Sequence, residues 1–130
     1  MILDTTFVID FMHNDKGALK RHATLLERNE TYRVSSATIF ELWSGIGNSK
    51  KLFEERLKVT KALTEINTIP LSSLIAEKAG QLHGALIRGG QEIGELDAMI
   101  AATALHENET VLTRNVKHFT KVKGLKVETY

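Results

Sequence analysis

The feature that most constrains the fold is a repeated switch of period. Short runs rich in apolar and β-branched residues, "MIL", "TYRVSS", "NTIPL", "ETVLTRN" and "LKVETY", are set apart by longer segments whose apolar residues recur every three or four positions. The runs read as strands and most of the intervening segments as amphipathic helices. Strands that alternate with helices pair in parallel and bury both faces of their sheet. The pattern therefore predicts an α/β fold, a three-layer sandwich with a mostly parallel central sheet flanked by helices. At 130 residues the chain suits one hydrophobic core and is short for two, so residues 1–130 are expected to form a single domain.

Along the chain, "MIL" runs straight into an amphipathic stretch from Thr5 to Met12, with Asp4 at the junction. Residues 15–30 form a helical pattern with Leu19, Ala23 and Leu26 near one face. Ser35 or Ser36 is placed to cap the helix "ATIFELWSGIG", which Gly45 and Gly47 close. Residues 49–66 carry Leu52, Phe53, Leu57, Val59, Leu63 and Ile66 among charges and predict a long amphipathic helix. "NTIPL" holds the only proline, Pro70, and is expected at a sheet edge because proline donates nothing to a ladder. A further helical pattern spans Ser72 to Arg88, "RGGQEIG" is a loop, "GELDAMIAATAL" is an apolar helix, and "VKHF" is a single turn.

Several function classes fall away on composition. No apolar run approaches the roughly 18 residues that span a bilayer, and the opening "MILDTTFVID" lacks a basic leader, so a cytoplasmic protein is expected. With no cysteine, disulfides and thiolate metal sites are excluded. Seventeen Lys and Arg against sixteen Asp and Glu leave a net charge of +1, so any nucleic-acid contact must rest on local charge.

Four polar groups stand where an apolar element begins or ends: Asp4 after "MIL", Glu41 within "ATIFELWSG", Asp97 within "GELDAMIAATAL" and Asn115 after "TVLTR". In an open parallel sheet, ligands gather beyond the carboxyl ends of the strands. That rule puts Asp4 and Asn115 on one edge, and Glu41 and Asp97 project toward it if their helices start there. Each also has a plainer reading. Asp4 and Asn115 suit turns, Asp97 suits the positive end of a helix dipole, and only Glu41, among Ile39, Phe40, Leu42 and Trp43, demands a partner. Three converging carboxylates would raise one another's pKa unless a cation lay between them. Oxygen donors without cysteine favour Mg²⁺ or Mn²⁺, ions suited to phosphodiester hydrolysis.

Other residues have more ordinary roles. Asp10 is expected to be solvated near the end of the first helix, Trp43 to sit in the core, and Glu95 to face away from Asp97. The five histidines show no zinc-type pairing, and surface or packing roles are expected of all; for His118, three residues after Asn115, RNA contact is a second reading. Arg114 and Lys117, followed by Lys121, Lys123 and Lys126, form either a solvated surface or a basic rim that holds a polyanion.

Together "ILDTTFVID", "SSATIFELWSG", "IGELDAMIAATAL" and "VLTRNVKHF" resemble, in order, the motifs of the PIN-domain ribonucleases, and most of all the VapC-type toxins of toxin–antitoxin pairs. The resemblance runs from residue 2 to 119, with the tail "GLKVETY" also similar. It implies a PIN fold and a Mg²⁺- or Mn²⁺-dependent endoribonuclease leaving 5'-phosphate and 3'-hydroxyl ends. Asp4, Glu41 and Asp97 would match the family's metal-holding acids, and Asn115 a fourth position, here neutral, that orients water. Thr113 matches a hydroxyl position that bonds either Asp4 or a substrate phosphate, although a β-branched strand residue is equally at home there. Arg114 would contact substrate. The resemblance also implies a homodimer and a small cognate antitoxin, with residues 49–66 and the helix from Ser72 as candidate contact surfaces. The alternative is a PIN-like module that binds RNA or protein without turnover. A haloacid-dehalogenase phosphatase would want a second Asp two residues after Asp4, where Thr6 stands.

Overall fold

The computed structural model describes residues 1–130. Its elements in chain order are β1 (Ile2–Leu3), α1 (Thr5–Met12), α2 (Lys16–Glu27), β2 (Arg33–Ser35), α3 (Ser36–Ile46), α4 (Leu52–Leu63), β3 (Asn67–Ile69), α5 (Ser73–Arg88), α6 (Glu95–Glu107), β4 (Val111–Leu112), α7 (Val116–Phe119) and β5 (Val127–Glu128). The strands form one sheet in the order β3-β2-β1-β4-β5, and every pairing is parallel. The strand before Pro70 lies at an edge, where a missing donor is harmless.

The strands are very short, yet they split the core cleanly in two because successive side chains point to opposite faces. Ile2 and Val111 face one cluster, built with Ile75, Ala79, Ile100 and Phe119 from α5, α6 and α7. Leu3 and Leu112, next along the same strands, face a second cluster with Phe7, Val8, Leu25, Leu42 and Val59 from α1 to α4. The register pairs Ile2 with Val111 and Leu3 with Leu112, so both alternations stay in phase. The three layers follow directly. No helix is long and apolar enough to cross a membrane.

Helix α6 is buried almost all round, with Ala98, Ile100, Ala101, Ala102, Thr103 and Ala104 inside. Its run of alanines lets neighbouring backbones come close. It stops where Asn108 takes a left-handed conformation, φ 54°. Ser35 and Ser72 cap α3 and α5 by accepting from the backbone N–H groups of Thr38 and Ile75.

Two expected helix faces and the expected place of Trp43 differ from the sequence reading. On α2 the buried pair is Ala18 and Leu25, while Leu19 and Leu26 face solvent. On α3 the inward stripe is Ala37, Thr38, Leu42 and Ile46, which leaves Phe40 and Trp43 outside. Trp43 is therefore a surface residue and not a core one. Residues 40 and 43 share a helix face opposite that stripe, and no rotation buries both sets. On α4 only Val59 is buried, and Leu52, Phe53 and Leu57 are exposed.

These faces predict a contrast between neighbours. Leu25→Ala should lower the unfolding free energy by about 3 kcal/mol through a core cavity, and Leu26→Ala should change it by less than about 0.5 kcal/mol. Urea unfolding monitored by circular dichroism measures both.

Candidate active site

The strand order places the site. From β1 the chain steps outward through β2 to β3, then returns to lay β4 and β5 on the other side. The reversal falls between β1 and β4, and a crevice opens beyond the carboxyl ends of strands at such a point. Asp4 follows β1 and Thr113 follows β4, so both stand at its mouth.

Asp4 is the N-cap of α1, yet its side chain does not cap the helix. Its Oδ2 instead accepts hydrogen bonds from Thr6 Oγ1 and Thr113 Oγ1, each at 2.7 Å. Thr113 Oγ1 in turn accepts from the backbone N–H of Asn115 at 2.8 Å. Thr113 is fully buried. It makes the bond to Asp4 that the sequence reading allows it.

Glu41 lies on the second turn of α3 and is half-buried, and its Oε2 accepts from Thr5 Oγ1. Asp97 lies in the first turn of α6. Its Oδ2 is 2.7 Å from His118 Nδ1, and the Asn115 amide contacts the same ring nitrogen at 2.7 Å. As an N–H that nitrogen donates to Asp97, and as a bare nitrogen it accepts from the Asn115 amide, so the tautomer decides which of the two it serves. Helix α7 presents His118 because Phe119, next along, is fully buried. The side chains of Asp4, Glu41, Asp97 and Asn115 thus gather at one edge of the sheet, each carboxylate held by a hydroxyl or an imidazole.

The profile of the PIN domain matches residues 1–125. The chain belongs to the PIN-domain family. It is 30% identical to the ribonuclease VapC2 of Rickettsia felis over 129 residues, spanning 99% of this chain and 96% of that protein. It is 28% identical to the tRNA(fMet)-specific endonuclease VapC of Shigella flexneri, again over 99% and 96% of the two chains. Among solved structures, VapBC2 from Rickettsia felis bound to a DNA fragment from its promoter superposes with a TM-score of 0.88 at 29% identity, covering 99% of this chain and 97% of that one.

The electrostatics of this PIN-domain edge are strained. Burial pushes the Asp4 carboxyl above its ordinary range, the Thr113 and Thr6 hydroxyls pull it back, and the charge of Asp97 pushes it up again. Burial also raises Glu41 against the pull of Thr5, with Asp4 and Asp97 adding to the rise. In this arrangement no three carboxylate or imidazole groups enclose a common point. The donor set nonetheless fits a hard divalent cation. The three acids offer only oxygen, and their mutual repulsion is what such an ion offsets.

Sequence reasoning missed Thr5, Thr6 and His118 as partners of the acids. Threonines in a first helical turn are ordinary, and only their position directly after Asp4 hinted at more. It also mistook Asp10, which is buried and bound by Arg114 and by the Tyr130 hydroxyl. Both partners lie over 100 residues away in the chain and were invisible to a local reading.

Because folding raises the Asp4 pKa, the cost in stability is full above the raised value, shrinks as pH falls below it, and vanishes only below the ordinary carboxylate value. Asp4→Asn keeps an acceptor for both threonines and removes the charge. In EDTA the variant should melt above the parent at neutral pH, and the gap should close as pH falls from the raised pKa to the ordinary carboxylate value. Thermal scans across pH check the sign.

Proposed function

We propose that this PIN-domain protein is a divalent-metal-dependent endoribonuclease, the toxin of a toxin–antitoxin pair. The observation that carries the proposal is the electrostatic coupling of Asp4, Glu41 and Asp97 beside the sheet's reversal point, where burial and neighbouring carboxylates raise Asp4 and Glu41. The ribonuclease names of the relatives and the likeness to a VapBC complex support it.

Asp4, Glu41 and Asp97 are the residues that would hold Mg²⁺ or Mn²⁺. Bound there, such an ion supplies charge neutralisation at the scissile phosphate and lowers the pKa of water for attack. Thr6 and Thr113 fix the Asp4 carboxylate, Thr5 fixes Glu41, and His118 fixes Asp97. Outer partners of this kind orient ligands and tune their basicity. Asn115, uncharged and beside His118, orients water without adding to the negative charge. Arg114, exposed at the rim, meets the RNA backbone.

The antitoxin and a second copy of the chain would use the exposed apolar surface, where Phe53 and Leu57 of α4 and Leu74 and Ile87 of α5 stand out. Large apolar side chains in solvent mark interaction sites when they cluster. Co-expression with a candidate antitoxin should yield a complex that co-purifies and does not cleave RNA.

The direct test uses purified protein freed of any partner and supplied with Mg²⁺ or Mn²⁺. It should cut single-stranded RNA internally to leave 5'-phosphate ends, EDTA should stop it, and Asp97→Asn should lower kcat by about a hundredfold or more. Cleavage that is absent, or equal in the parent and Asp97→Asn, would falsify the ribonuclease and leave a binding-only PIN module.

A further inference from the structure

Asp4 and Asp10 are the two acidic residues buried in this fold, and only Asp4 belongs to the acidic edge. Asp10 has both oxygens engaged. Its Oδ1 accepts from Arg114 Nη2, and its Oδ2 accepts from the Tyr130 hydroxyl at 2.6 Å. The Tyr130 ring is itself seated, packing edge-on against the buried Phe7 with centroids 4.9 Å apart. Burial and the neighbouring carboxylate hold the Tyr130 hydroxyl well above the ordinary phenol range, so it stays a donor.

Arg114 is thereby tied at two points along α1. Its backbone N–H donates to Thr6 Oγ1 at 3.2 Å, and that hydroxyl donates to Asp4. Its guanidinium is held at Asp10, one helical turn beyond Thr6 on the same face. The arginine side chain is still 60% exposed, against 11% for Asp10. One nitrogen is spent on Asp10, and the other donors of the planar fork are turned to solvent beside the acidic edge.

Stability alone is a poor account of this arrangement. An ion pair with one partner this exposed contributes little, and sinking a carboxylate carries a desolvation cost that an apolar residue at position 10 would avoid. What the arrangement does secure is the direction of a cation. We propose that Asp10 and Tyr130 are positioning residues that aim Arg114 at an RNA phosphate flanking the one to be cleaved. This rests on the ribonuclease reading above.

Steady-state cleavage of a fluorescent oligoribonucleotide with Mn²⁺ tests it. Arg114→Ala should raise KM about tenfold, the worth of one charge-assisted contact, and leave kcat within about twofold. Asp10→Asn and Tyr130→Phe should each raise KM by about twofold to fivefold with kcat held, and neither should add to Arg114→Ala in the double variant. The direction for Asp10→Asn is diagnostic. Removing a negative charge near a polyanion would on its own tighten binding, so a rise in KM reports the loss of aim. Tyr130→Phe leaves every charge in place and carries the same cycle if Asp10→Asn melts early.

The proposal is overturned if Asp10→Asn, or Tyr130→Phe in its stead, leaves KM unchanged or lowers it, or if its effect multiplies with that of Arg114→Ala. Anisotropy of the labelled RNA in an Asp97→Asn background, where strands stay intact, reads Kd by itself and should follow the same order. If the parent cuts nothing while Kd follows that order, the ribonuclease reading fails and the clamp stands. Strong cleavage with an indifferent Asp10 gives the reverse.

Discussion

A single buried carboxylate organises this molecule. Asp4 joins β1 to α1 and takes hydroxyl hydrogen bonds from α1 itself and from the residue that follows β4. An unpaired carboxylate at such depth would be costly, and its two threonine donors make it tolerable without making it comfortable. The bond to Thr113 ties the ends of β1 and β4 together beyond their backbone ladder, where the sheet reverses direction. The fold and the chemistry thus share one anchor.

The rest of the acidic edge follows the same rule. Each carboxylate has a short polar companion supplied by a neighbouring element: Thr5 for Glu41, His118 for Asp97. These companions are neutral or weakly basic, so they hold the acids in place without cancelling the repulsion that raises Asp4 and Glu41. A strong cation such as arginine would have quenched the edge. The one arginine close by is instead drawn to Asp10, a turn further along α1.

Much of the fold was legible because period is a robust signal. The alternation of short apolar runs with segments of three-to-four spacing predicts the layers that the structure has. Helix orientation was less legible. In "ATIFELWSGI" apolar residues occupy more than one face, so the sequence carries two possible stripes, and the way α3 leaves β2 selects the one with Leu42 and Ile46. The carboxylates stood out because a charge amid apolar neighbours is unusual. Threonine beside them is not unusual, and Asp10 resembled any polar residue at a helix end until Arg114 and Tyr130 were brought to it from the far side of the chain.

The bond between Asp4 and Thr113 spans 109 positions, and His118 reaches back 21 positions to Asp97. Contacts of such separation close late, after the intervening loops have lost their entropy. During synthesis the acidic edge therefore stays unfinished until Thr113 and His118 have been added. A chain cut short before Thr113 would therefore carry Asp4 without its second hydroxyl donor and Asp97 without its imidazole.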